Sequence, residues 1–121
     1  MKSLSVDSFH AVLFSRKWDA CVSFYRDILG FAVVDEKSGF VEFEVASRSR
    51  IGLIQSERYS VSEKNEYPFI LSFRVENVEE AHKILSMKCS GVTAVKQHSW
   101  GARLFEIKDP EGRRLEFWTP Q

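Results

Sequence analysis

Net charge is the first thing missing from this 121-residue chain: 17 Lys and Arg offset 17 Asp and Glu, leaving a formal charge of zero. A general electrostatic grip on nucleic acid, or on an anionic membrane surface, needs a basic excess, so both are excluded. No apolar run approaches the roughly 18–20 residues that span a bilayer. The opening MKSLSVDSF lacks the apolar stretch of a signal peptide. Cysteine is scarce, and Cys21 and Cys89 make neither a disulfide framework nor a CxxC metal pair. These absences point to a cytoplasmic protein with reduced thiols. Aromatic residues, in contrast, are plentiful: ten Phe, three Trp and three Tyr supply ample apolar area for one core. With 44% hydrophobic and 28% charged residues, the composition is that of one ordinary globular domain spanning residues 1–121.

The chain repeats its own plan. A short apolar strand at Phe9–Phe14 precedes a helical run from Trp18 to Leu29 and then Gly30. A second strand at Phe69–Val75 precedes a helical run from Val78 to Cys89 and then Gly91. The shift is 60 residues from His10 to Ile70 and 61 from Gly30 to Gly91. In the first helix Trp18, Val22, Tyr25 and Leu29 recur at helical spacing, widened by Cys21, Phe24 and Ile28, and Gly30 stands where a helix end wants a glycine. In the second, Asn77 is a credible N-cap with Glu79 and Glu80 in the first turn, and Val78, Ala81, Ile84, Leu85 and Cys89 form the inward face. Strands are predicted at Phe31–Asp35, Phe40–Val45 and Ile51–Gln55, and at Val92–Lys96, Arg103–Ile107 and Arg114–Trp118, with a turn at Asp109–Gly112. Residues 56–66, SERYSVSEKNE, lack periodicity and read as the linker. Module one thus spans about 8–55 and module two about 67–118.

Alternation separates two faces in each strand. Val41, Phe43 and Val45 oppose Phe40, Glu42 and Glu44; Phe105 and Ile107 oppose Leu104 and Glu106; Leu115 and Phe117 oppose Glu116 and Trp118. One face packs on the helices. The other mixes carboxylates with large apolar groups, and becomes a pocket wall if the sheet is curved.

Three segments carry a family resemblance. SFYRDILGF from Ser23 to Phe31, FRVENV from Phe73 to Val78, and WGARLFEIKDPEGRRLE from Trp100 to Glu116 followed by Phe117 and Trp118 resemble signatures of the vicinal oxygen chelate superfamily. That group contains glyoxalases, bleomycin and fosfomycin resistance proteins and extradiol dioxygenases. The resemblance implies an α+β fold of two βαβββ modules whose sheets curl around a central cup, helices on the convex side. It further implies a small-molecule ligand in that cup, a homodimer, and often a divalent metal (Zn, Mn, Ni or Fe) held from the first and last strand of each module.

Mapped residue by residue, His10 stands at the family's His and Glu116 at its Glu, as metal ligands or as an acid–base pair. The other two places fall on Gly52, or Leu53 if the alignment slips by one, and on Ile70, none of which can coordinate through its side chain. Two of four places are filled, so the metal site is degenerate, with the ion weak or absent. A third ligand would have to come from Glu42, Glu44, Glu106 or the partner subunit. The protein is then a lyase or dioxygenase relative, or a binding protein that only sequesters its ligand. Phe14, Phe40 and Trp118 are candidate apolar walls, and Arg74 a contact for an anionic group or a neutralising partner for the glutamates. Tyr25 reads as core, Cys21 and Cys89 as small buried hydrophobes, His82 as solvated, and His98 as a loop residue at the edge of the cup.

Overall fold

A computed structural model describes residues 3–56, 67–99 and 101–120. The expected linker beyond residue 56, and Trp100, lie outside the described residues. The chain divides into two compact units, Met1–Ser62 and Glu63–Gln121, so the repeat read from the sequence is also the division in space.

In the first unit, β1 (Phe9–Ser15) leads to α1 (Trp18–Ser23), followed by β2 (Ala32–Lys37), β3 (Phe40–Ala46) and β4 (Ser49–Gln55). The sheet order is β1-β4-β3-β2. The β1–β4 pair is parallel, and the other two pairs are antiparallel. The predicted helix from Trp18 to Leu29 holds as a helical path but changes character: from Phe24 to Ile28 it widens into a π-helical turn, with Leu29 N–H donating to the Phe24 carbonyl at 3.0 Å. That turn seats Phe24 and Tyr25 in the core. Tyr25 is fully buried, its ring 5.5 Å from Phe24 and 6.0 Å from Phe43. Leu13, Val41, Phe43, Ile51 and Leu53 complete the helix-facing side.

The second unit repeats the order with β5 (Ile70–Arg74), α2 (Val78–Lys88), β6 (Lys96–His98), β7 (Ala102–Lys108) and β8 (Arg114–Pro120). Its sheet is β5-β8-β7-β6, again with the first strand parallel to the last. The architecture is α+β, as expected. Asn77 caps α2, its side-chain oxygen accepting from the Glu80 amide at 3.0 Å. The helix packs over a stack of rings, Phe73 on Phe117 and Phe105 on Phe117, at 5.1 and 5.2 Å.

Four expectations fail in this unit. Ile84 is 48% exposed rather than inward. At 3.6 residues per turn the buried stripe runs through Val78, His82, Leu85 and Cys89, and Ile84 falls well over a quarter turn away. His82 is correspondingly half-buried rather than fully solvated: it sits edge-on to Phe105 at 5.1 Å, and its Nε2 meets the Thr93 carbonyl at 2.9 Å. A histidine with a backbone partner has taken the place of an apolar residue in the stripe. Lastly, the strand expected at Val92–Lys96 begins only at Lys96. Thr93 is tied to Glu106 by two hydrogen bonds without forming a ladder, and His98 ends β6 rather than lying in a loop.

The turn at residues 109–112 is built around a buried ion pair. Asp109 Oδ2 accepts from Arg113 Nη1 at 2.9 Å, and Asp109 Oδ1 accepts from the amides of Glu111 and Arg113. Both side chains are essentially inaccessible, and the Arg113 guanidinium lies 5.2 Å from the centre of the Tyr67 ring. Gly112 closes the turn at φ +97°.

Gly30 adopts φ +75°, and a Cβ there would touch nothing within 4 Å. Any penalty for a side chain is therefore conformational. Gly30→Val is expected to cost on the order of 1 kcal/mol or more and to lower Tm by about 4 °C or more. An unchanged melting curve would show that the left-handed residue ending this helix lies elsewhere.

Candidate functional site

Register decides what each sheet shows on the side away from its helix. In the first unit the pairs His10↔Arg50, Val12↔Gly52 and Phe14↔Ile54 lie on that outer face. Across β4 they continue into Glu44, Glu42 and Phe40. One end is polar. Glu42, only 15% exposed along its side chain, accepts from Arg50 Nη1 at 2.8 Å, and its other oxygen lies 3.6 Å from His10 Nδ1. That second distance is ion-pair reach for a protonated imidazole and too long for a hydrogen bond. The other end is apolar, made by Val12, Phe14, Phe40 and Ile54.

The second unit follows the same lattice. Ser72↔Glu116 and Arg74↔Trp118 pair across β5 and β8, with Glu106 and Leu104 beyond them on β7. Arg74 lies over the Trp118 ring at 5.6 Å, a cation–π contact. Glu106 is gripped by Arg114 through two bonds of 2.8 and 3.0 Å. That hydrogen bonding holds the Glu106 carboxyl below its ordinary value of 4.5, against a smaller opposing effect of burial.

A shift of 64 residues carries Glu42, Arg50 and Gly52 onto Glu106, Arg114 and Glu116. The Arg–Glu pair is thus duplicated, one copy beside each last-strand ligand place. The sequence reading passed over Arg50 and Arg114. The signal was present, since each stands two residues before the position under scrutiny and so shares its face.

A family model described as a glyoxalase-like domain matches residues 9–120. The chain belongs to the glyoxalase-like family. The protein YraH of Bacillus subtilis strain 168, an uncharacterized protein, is 26% identical over 112 residues, covering 80% of this chain and 85% of its own. A glyoxalase/bleomycin resistance protein/dioxygenase from Nocardioides superposes with a TM-score of 0.83 at 17% identity, covering 99% of this chain and 86% of that one. Lactoylglutathione lyase from Agrobacterium tumefaciens superposes with a TM-score of 0.77 at 22% identity, over 97% and 95%. At these identities the two structures show a shared fold.

A glyoxalase-like fold implies a divalent metal, and the donors within each unit fall short of one. No group of three His, Cys, Asp or Glu is placed to hold an ion among the described residues, where an enzymic zinc site takes about three protein ligands. In the first unit His10 has Glu42 beside it, but Glu42 already holds Arg50. Glu44 lies exposed across from Arg50. In the second unit Glu116 has Glu106 directly across, and Glu106 is engaged by Arg114. Among the other candidates, Cys21 is buried, and burial pushes the Cys89 thiol up, the opposite of what a nucleophile needs.

The Glu106–Arg114 pair generates a pH prediction. A carboxyl whose folded value is depressed contributes stability that is present above its unfolded value and is lost as pH falls through the folded one. Glu106→Gln should lower stability at pH 7 by up to about 1 kcal/mol, as for a largely solvated pair. The deficit should shrink below pH 4.5. Urea unfolding at pH 7 and pH 3 measures it, and a deficit constant with pH would contradict the assignment.

Proposed function

We propose that this glyoxalase-like protein binds a small organic molecule on the outer faces of its two sheets, with the metal site reduced to two of the family's four ligand places. One observation carries the reading: the outer face of the first sheet has an apolar end, Val12, Phe14, Phe40 and Ile54, running into the polar row His10, Glu42 and Arg50. A largely apolar surface with a few placed polar groups is what a small-molecule site offers. Trp118, held under Arg74, is the apolar contribution of the second module. His10 and Glu116 are its catalytic candidates, and sequestration without turnover is the simplest function these faces support. We further propose that the two units serve as one domain, and that the protein works as a cytoplasmic homodimer. Light scattering at micromolar concentration should give twice the 14.0 kDa chain mass, and a monomer mass would overturn that assembly.

A second reading is a metal-dependent lyase or dioxygenase in which Glu42 joins His10 and Glu116 as third ligand. The approach of Glu42 to 3.6 Å from His10 favours it.

The two readings separate in solution. Anilinonaphthalene sulfonate, an aromatic anion, should bind the folded protein saturably. Phe14→Ser and Trp118→Ala should each weaken it several-fold, with the circular dichroism spectrum retained. The hemithioacetal of methylglyoxal and glutathione should not be turned over with added zinc or nickel. Turnover that depends on Glu42 would establish the second reading. Probe binding that never saturates, or that ignores both substitutions, would overturn the first.

A further inference from the structure

The ligand place on β4 is closed as well as vacant. A Cβ built on Gly52 would lie 3.0 Å from Phe40 Cε1, 3.4 Å from Phe40 Cζ and 3.8 Å from Val12 Cγ2. Gly52 is buried although it sits on the outer face, so the ring covers it. Phe40 comes from the neighbouring strand β3, whose register sets it opposite Ile54, one face-repeat beyond Gly52. The same lattice in the second unit has Leu104 where the first has Phe40, and Glu116 where it has Gly52. Two linked differences therefore distinguish the modules: a ring over a glycine in one, and a shorter aliphatic residue beside a carboxylate in the other.

We infer that Phe40 is the specificity-determining residue of the first module. Its ring fills the place of a metal-ligating side chain and turns that place into an apolar floor, so the face takes an apolar ring of an organic ligand where the family would hold an ion. The inference rests on the ligand-binding reading above. The steric argument is direct. An alanine at 52 asks the ring to move by a few tenths of an ångström, while a carboxylate side chain asks for the volume the ring occupies. Glycine is the residue that lets an aromatic ring lie against the backbone of a central strand. With the ring where it lies, any side chain at 52 meets it already at Cβ. Leucine at 40, as in module two, would remove the ring atoms that this Cβ meets. His10, a carboxylate at 52, and Glu42 if the ion displaces it from Arg50, would then offer three donors on one face, the number such a site takes.

The test is to give module one the pair of residues that module two carries. Wild type, Gly52→Glu and the double variant Phe40→Leu/Gly52→Glu are dialysed against nickel(II), and bound metal is counted per chain. Wild type and the single variant should hold no stoichiometric ion. The double variant should hold one, and adding His10→Ala should release it. Tight binding by wild type, or a folded double variant that binds no more than wild type, overturns the inference. Because the carboxylate variants can fail to fold, a second cycle reads the steric coupling alone. Gly52→Ala should lower Tm in the wild-type background and do so less in Phe40→Leu. Equal losses in both backgrounds would refute the contact. Anilinonaphthalene sulfonate binding that falls several-fold in Phe40→Leu supports the apolar floor. Metal gain with no probe binding in any variant would remove the ligand reading and leave the closure by Phe40 standing.

Discussion

In each unit the fourth strand is bonded on one side to a parallel neighbour and on the other to an antiparallel one. Every inward and outward side chain of the sheet follows from its register. A slip of one residue in β4 would send Ile51 and Leu53 to the outer face and Arg50 and Gly52 into the core. The inward set resists this: Ile51, Leu53, Leu115 and Phe117 are all buried against the helix side. The charged outer groups stay paired as a result. They need not stabilise much, since pairs this accessible are worth about 1 kcal/mol or less. Their effect is geometric, because Arg50 points Glu42 along the strand while leaving an oxygen toward His10.

The two modules spend the same lattice differently. One keeps a carboxylate at Glu116 and an aliphatic neighbour. The other gives up its side chain at Gly52 and lays a ring across it. The Arg–Glu pair survives in both. The part of the design that orients a carboxylate has thus been retained independently of the part that would coordinate.

Strands, helices and their order were legible because the relevant signals are local. Period-two alternation placed Glu42, Glu106 and Glu116 on the outer faces, and Gly30, Asn77 and Gly112 marked the ends and turns they occupy. What stayed hidden depends on partners far along the chain. Nothing near His82 in sequence announces that Thr93 will accept its hydrogen bond, the bond that gives a half-buried imidazole its partner. The widening of the first helix at Phe24 leaves no mark in the apolar spacing, which suits either helix type. Arg113, just past the turn, is among the most completely buried large side chains. At the site, His10 and Glu116 were identifiable by resemblance. The closure of Gly52 by Phe40 was not, because it is a cross-strand contact set by β3–β4 register.

The buried Asp109–Arg113 pair also bears on how the second unit responds to heat. Stripping water from two charges is the main cost of such a pair, and that cost falls as temperature rises while the gain from apolar burial levels off. The cost of burying the charges in the β7–β8 turn therefore shrinks as the protein is warmed. The first unit's β3–β4 connection, through the exposed residues Ser47 and Arg48 with Arg48 at φ +60°, has among the described residues no buried charge pair to do the same. On this account the contributions of the two hairpin turns to stability should change differently with temperature.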